Sequence, residues 1–122
     1  MSGTTDQTFI EAWRERQLRN EQAAARWREA RLVEAGRAAR RLTSLGGVKK
    51  ILLIGSLARG TAHPGSDVDL WVEGLAESEW LTAVAMVREE IHEAEVDVIR
   101  AEWAGKDMAA RAAAEGVVLD ER

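Results

Sequence analysis

A chain of 122 residues, 46% of them hydrophobic, matches the size of one ordinary domain and can bury a single core. The absence of cysteine excludes disulfides, thiolate metal sites and a cysteine nucleophile, and no apolar run approaches the roughly 18 residues that a membrane helix requires. Since no signal-peptide pattern is present either, we expect a soluble, cytoplasmic protein, and its net charge of −4 argues against direct binding to duplex nucleic acid.

The first element is a long helix, predicted over about residues 6–45. This segment has no proline, a single glycine (Gly36) and many strong helix formers such as Ala, Arg, Glu and Gln. Because such a helix is long for a globular protein, we expect either a break near Gly36 or a first half that protrudes. Helical spacing predicts a buried stripe made of Leu32, Ala35, Ala39 and Leu42.

The basic charge of the chain is concentrated in this helix. Residues 1–45 contain nine arginines and six acids, whereas residues 46–122 contain eight basic and fifteen acidic residues. We interpret the arginines as a solvated face with ion pairs to nearby glutamates; contact with an acidic partner is the alternative. Residues 1–28 are predicted to form a basic helical extension that can mediate self-association, and residues 29–122 to form the main domain.

Three strands are predicted downstream of the helix, which Gly46–Gly47 should end. Residues 48–54 form a short apolar run with β-branched members, and residues 67–72 and 95–99 alternate carboxylate with apolar side chains. A further extended piece is expected over residues 117–119.

Two more helices are predicted between and after these strands. The first is expected to begin at a Ser78 cap and to show its helical spacing at Leu81, Val84, Ala85, Arg88 and Ile91. The second spans about residues 105–115 and stops at a glycine. This order of elements predicts an α+β fold, in which a small mixed sheet is flanked by helices.

Three aspartates on the predicted strands are candidate catalytic residues. Side chains two apart on a strand share a face, so Asp67 and Asp69 should stand side by side. Their repulsion costs stability unless a cation neutralises it, and oxygen ligands suit a hard ion such as Mg²⁺ or Mn²⁺. Asp97 interrupts the apolar third strand in the same way. If the two strands are neighbours, the three carboxylates converge; each taken alone could equally be a solvated or capping residue.

A glycine-rich loop follows the first strand and begins with Gly55 and Ser56, before a short helix predicted through residues 57–59. Glycine lets a phosphate approach the backbone, and the amides and the Ser56 hydroxyl can hold phosphate oxygens at a helix start. The loop is not a P-loop, because Thr61 and Ala62 stand where that motif requires Lys and Ser or Thr.

Residues 55–60 (GSLARG) and, five residues later, 66–70 (SDVDL) together resemble the signature of the polymerase-β-like nucleotidyltransferase superfamily. The short length and the ending EGVVL over residues 115–119 resemble the minimal nucleotidyltransferases, which are typically encoded beside a helical HEPN protein and act as its antitoxin. The resemblance covers roughly residues 30–120, and the first 25 or so residues have no counterpart in it.

The resemblance implies transfer of AMP from ATP to a hydroxyl, with two Mg²⁺ ions (or Mn²⁺) bound and pyrophosphate leaving. It assigns both ions to Asp67 and Asp69, and assigns to Asp97 the catalytic ion and help in deprotonating the acceptor. The nucleotide-binding set implied by the signature consists of Gly55, Ser56, Arg59 and Ser66. Arg59 can equally form a structural ion pair with an acid.

Three functions remain open at this point. The first is AMP transfer to a HEPN toxin, and since the chain contains no tyrosine, an acceptor tyrosine would belong to another molecule. The second is an antitoxin that neutralises its partner by binding alone, which the loss of one of the acids would favour; all three are present. The third is nucleotide transfer to a small molecule, although relatives with that activity generally carry a further helical domain.

Two other residues near the motif are interpreted as structural. His63 is expected on the surface, and two histidines without cysteine do not make a zinc site. Trp71 shares the face of the first two aspartates and could stack on a base, but a core position is favoured.

Overall fold

The computed structural model describes residues 2–122, with side chains from residue 6 onward. The helices in this part of the chain are α1 (Ser2–Leu42), α2 (Gly55–Arg59), α3 (Trp80–Glu90) and α4 (Lys106–Glu115). The strands are β1 (Lys50–Ile54), β2 (Val68–Glu73), β3 (Val96–Arg100) and β4 (Val117–Glu121), and a short 3-10 turn precedes both α3 and α4. Each predicted strand is therefore present, within two residues of its expected bounds.

The four strands form one mixed sheet in the order β3-β2-β1-β4. β1 pairs antiparallel with β2 and with β4, and β2 pairs parallel with β3. A parallel pair requires a crossover, which α3 supplies between β2 and β3. The predicted α+β fold is confirmed, and β2 and β3 are neighbours.

The two faces of the sheet are covered by different helices. One face packs its alternating apolar side chains, such as Ile51, Leu53 and Leu70, against α1 and α3 in the main core. The other face carries a smaller cluster of Leu52, Ile54, Trp71 and the α4 residue Ala112. Because strand residues alternate between faces, this division decides which side chains of β2 and β3 lie near α4.

Helix α1 is continuous through Gly36, so the expected break is wrong and the expected protruding half is confirmed. Every side chain over residues 6–26 is exposed except Gln17 and Ala24, which are half-buried. The helix joins the core from Trp27 onward, where alanines at positions 35, 38 and 39 allow it to lie close to the sheet. No helix within residues 2–122 combines the length and apolar character needed to cross a membrane.

The predicted stripe of α1 is correct at three positions and wrong at Leu32, which is 43% exposed. The buried row passes through Arg31 instead. The Arg31 guanidinium lies 5.4 Å from the ring centre of Trp27 and donates a hydrogen bond of 3.2 Å to Glu93. Its Nε is 2.8 Å from a carboxylate oxygen of Glu34, in a contact that does not have hydrogen-bond geometry. The buried row of α1 therefore includes Arg31, whose charge is paired, and the adjacent Leu32 is exposed.

The prediction for α3 also needs correction. Ser78 does not cap the helix; it lies within a 3-10 turn (Glu77–Glu79), and α3 begins at Trp80 without a side-chain cap. The side chains that enter the core are Ala83, Val87 and Ile91, whereas Leu81 is 73% exposed. Of the predicted positions Ile91 is buried and Val84 is half-buried, whereas Leu81, Ala85 and Arg88 are exposed.

Candidate active site

Two of the predicted aspartates face each other across the parallel strand pair. Asp69 on β2 is in register with Asp97 on β3. Their neighbours Val68, Leu70 and Val98 are buried in the main core, so alternation directs both carboxylates to the α4 side. There Asp69 and Asp97 line one cleft, which also contains residues of α4. The sequence predicted that the carboxylates would converge if the two strands were neighbours. The strands are neighbours, and these two carboxylates do converge.

Asp67 precedes β2 and is exposed. It lines an adjoining part of the cleft together with Asp69 and Ser56. Burial raises the pKa of the Asp69 carboxyl, and repulsion from Asp97 and Asp67 raises it further, while Arg59 acts in the opposite direction. Asp67 and Asp97 are thus close enough to Asp69 to oppose the ionisation of its carboxyl.

Gly55 is required where the cleft meets the end of β1. Its φ of 80° lies in the left-handed region that side chains disfavour. A Cβ added there would lie 2.6 Å from Oδ2 of Asp69. The turn into α2 and the carboxylate of Asp69 therefore pack directly against each other, which only a residue without a side chain allows.

The glycine-rich loop is held in place by hydrogen bonds from three directions. Arg28 of α1 donates to the Ala62 carbonyl at 2.9 Å. The Thr61 amide donates to the Ser56 carbonyl at 3.0 Å. Ser66 accepts a 3.0 Å hydrogen bond at Oγ from the amide of His63. The Ser66 hydroxyl thus stabilises the loop, and its predicted contact with a nucleotide stays a prediction.

Arg59 forms an ion pair with an acid, which was the structural alternative for this residue in the sequence. Its Nη1 lies 3.3 Å from Oε2 of Glu115 on α4, with both side chains partly exposed. It also lines the cleft beside Asp69. Gly55, Ser56, Arg59 and Ser66 all lie around the same cleft, and their binding of a nucleotide stays a prediction.

Helix α4 contributes cleft residues that sequence reasoning missed. Met108, Arg111 and Glu115 are spaced to share one helix face, and all three line the part of the cleft that contains Asp69 and Asp97. The single arginine in an alanine-rich helix was a weak signal in the sequence. Only the packing of α4 on the sheet shows that it lies over the acids.

The two residues interpreted as structural occupy the expected positions. Trp71 is 5% exposed within the smaller core cluster, and its indole nitrogen donates to Glu73 at 3.2 Å. His63 is exposed on the glycine-rich loop and lines the outer part of the cleft.

The acids fit a hard divalent cation by charge and donor type. Within residues 6–122, no three His, Asp or Glu side chains form a ready-made metal site. The pKa of Asp69 is raised first by burial and then by repulsion from Asp97 and Asp67, and a bound cation would relieve that repulsion. The cleft therefore offers oxygen ligands of the right kind without a finished cage.

Comparison with known proteins agrees with this geometry. None of the curated proteins matches the chain. Among solved structures, a chain of a toxin–antitoxin complex with AMP-PNP superimposes with a TM-score of 0.61 at 20% identity, covering 73% of each chain. A chain of the complex between a tri-AMPylated Shewanella oneidensis HEPN toxin and an MNT antitoxin gives a TM-score of 0.51 at 15% identity, covering 70% of this chain and 71% of that one.

A mutant of the toxin–antitoxin pair MntA-HpeT gives a TM-score of 0.56 at 15% identity, with 68% of this chain and 72% of that chain covered. At these identities the matches establish a shared fold. The family model described as nucleotidyltransferase domain matches residues 36–116, which include the glycine-rich loop, the three aspartates and Arg111. The chain therefore belongs to the nucleotidyltransferase domain family.

Proposed function

We propose that this nucleotidyltransferase is a minimal nucleotidyltransferase antitoxin, which transfers AMP from ATP to a hydroxyl of a HEPN-type partner with the help of Mg²⁺ or Mn²⁺. The observation that carries the proposal is the in-register pair of Asp69 and Asp97 in a cleft bounded by the Gly55 turn. Two acids fixed on adjacent strands beside a backbone turn suit a reaction in which cations and phosphates meet.

The residues singled out from the sequence each have a role in this reaction. Asp67 and Asp69 would hold two divalent ions, which when bound would stabilise the attacking and leaving oxygens. Asp97 would also bind the catalytic ion and help to deprotonate the acceptor hydroxyl. That oxygen forms a bond to the α-phosphorus of ATP as the bond to pyrophosphate breaks. Gly55, Ser56, Arg59 and Ser66 hold the terminal phosphates.

The choice of a protein as the acceptor rests on the structural likeness and on the small size of the domain. One structure of similar fold is a complex of an AMPylated HEPN toxin with an MNT antitoxin. A domain this small leaves little surface for a separate acceptor pocket, so a partner would complete the site. The protruding half of α1 exposes Phe9, Ile10, Trp13 and Leu18, and we propose it as a contact for that partner or for a second copy of the chain.

A second candidate is an antitoxin that neutralises its partner by binding alone. The exposed apolar residues of the protruding half of α1 favour it, because they offer a contact surface that does not depend on the cleft.

The two candidates are separated by an AMP-transfer assay. The purified protein is incubated with labelled ATP, Mg²⁺ and the product of the neighbouring gene, in parallel with Asp69→Asn. Asp107→Asn, which changes an exposed acid of α4, is the matched control. We expect label on the partner with wild type and with the control, and none with Asp69→Asn. Equal labelling by wild type and Asp69→Asn, or no labelling by either, ends the proposal of catalysis.

A further inference from the structure

Helix α4 is docked on the sheet so that one row of its side chains lies along the cleft. Ala112 is 2% exposed and packs with Leu52, Ile54 and Trp71 of the sheet. At the end of the helix, a Cβ on Gly116 would lie 2.9 Å from Leu52 Cδ1, so helix and strand are in close contact there. The residues next to Ala112 on the helix face, including Arg111, are therefore positioned by core packing.

Arg111 lies where the two parts of the cleft meet. It lines the inner part with Asp69 and Asp97, and also the outer part with Ser56 and Asp67. No other residue of α4 lines both parts. A group bound between the acids and the Ser56 turn would therefore lie against Arg111.

The charge of Arg111 is not used by the protein itself. Among the residues with described side chains, Arg111 has no hydrogen bond or ion pair, whereas Arg59 is paired with Glu115. Arg59 lowers the pKa of Asp69, and Arg111 is not among the groups that shift it. Arg111 is thus a cation that has no partner among the described side chains and that lines an acidic cleft.

We propose that Arg111 binds the phosphate chain of the nucleotide from the α4 side, and that it is a substrate-binding residue of this enzyme. The inference rests on the proposed function. The cleft has negative charge on its acids and positive charge on Arg111. A nucleoside triphosphate with bound divalent cations is complementary to both, since its cations would face the acids and its phosphate oxygens would face the arginine. The planar guanidinium donates two parallel hydrogen bonds to phosphate, which lysine cannot reproduce.

The test measures binding by calorimetry, so that it does not depend on transfer activity. ATP with Mg²⁺ is titrated into wild type, Arg111→Met and Arg111→Lys, with Arg37→Met on the exposed face of α1 as the matched control. We expect Arg111→Met to weaken binding by roughly 10-fold to 100-fold, as for loss of a charge-assisted hydrogen-bonded pair. Arg111→Lys should recover only part of this affinity, and Arg37→Met should bind as wild type does.

Inorganic triphosphate with Mg²⁺ is the second probe, because it has no base or sugar. The proposal expects the same fold-loss for Arg111→Met with this probe as with ATP. A loss restricted to ATP would mean that Arg111 contacts the base or ribose, and would overturn the proposal. If wild type binds ATP and Arg111→Met binds it equally well, this inference alone is wrong; if wild type binds no ATP, the proposed function fails with it. The melting temperature of each variant is measured as a control, and a value unchanged from wild type shows that the substitution did not disturb the fold.

Discussion

The contact between Gly55 and Asp69 leads to a prediction that separates backbone strain from damage to the site. Gly55 and Gly60 have nearly the same φ, 80° and 79°. A Cβ at Gly60 meets nothing within 4 Å, whereas a Cβ at Gly55 would lie 2.6 Å from Asp69 Oδ2. Alanine at either position should cost about 1–2 kcal/mol for the left-handed backbone, and at Gly55 it should also displace the Asp69 carboxylate.

The size of that displacement sets the expected loss of activity. Heavy atoms do not approach a Cβ within 3.0 Å, so the carboxylate must move by at least a few tenths of an ångström. Since a misplacement of about 1 Å can cost about 100-fold in rate, Gly55→Ala should lose at least about fivefold in AMP transfer, whereas Gly60→Ala should retain most of it. Denaturant unfolding of both variants and labelled-ATP transfer are the measurements. Equal transfer by the two variants would refute the role of Gly55 in placing Asp69.

Three further predictions address charge, packing and the protruding helix. The pKa of Asp69 in the folded chain is raised above 3.8. Between pH 3.8 and that raised pKa, the folded chain keeps the carboxyl proton that the unfolded chain has lost. The free energy of unfolding therefore falls as pH rises through this range. Asp69→Asn should therefore raise Tm at pH 7 in a chelator, with no gain below pH 3.8; an equal gain at both pH values would contradict this. Arg31→Met should lower the free energy of unfolding by about 2 kcal/mol, because the Glu34 carboxylate loses its cationic partner and keeps the hydrogen bond from the His92 amide; denaturant midpoints within error of wild type would show that the pair adds nothing. Deleting residues 1–25 should weaken capture of the HEPN-type partner or self-association without changing ATP affinity, because the core contacts of α1 begin at Trp27; undiminished capture and unchanged self-association would be evidence against it.

The local pattern of the sequence was sufficient to predict the positions of the strands and the sheet face on which the aspartates lie. Alternation in β2 and β3 depends only on neighbouring residues, so the orientation of Asp69 and Asp97 relative to the adjacent valines was predictable. Their register was not, because it depends on how α3 returns the chain beside β2. The short helix at residues 57–59 was likewise correct, since the glycine-rich turn that starts it is local.

Long-range contacts account for what the sequence did not predict. Arg31 replaces Leu32 in the buried row because Glu93, 62 positions further along the chain, reaches it. The position of Arg111 over the cleft depends on the docking of Ala112 against the sheet. Neither contact leaves a periodic signal in the sequence, because each depends on which elements become neighbours.

The rigidity of the site follows from the packing of β2. Val68, Leu70 and Val72 are fully buried on one face of this strand, so a slip by one residue would turn Asp69 into the apolar core. An unpaired charge there is prohibitively costly, which means that the core residues also fix the direction of the carboxylate. Asp67 precedes the strand and is exposed, so its position depends on the glycine-rich loop and on the bond from Arg28 to Ala62. Changes to residues 61–66 of that loop, which lie between α2 and Asp67, should therefore disturb Asp67 before they disturb Asp69.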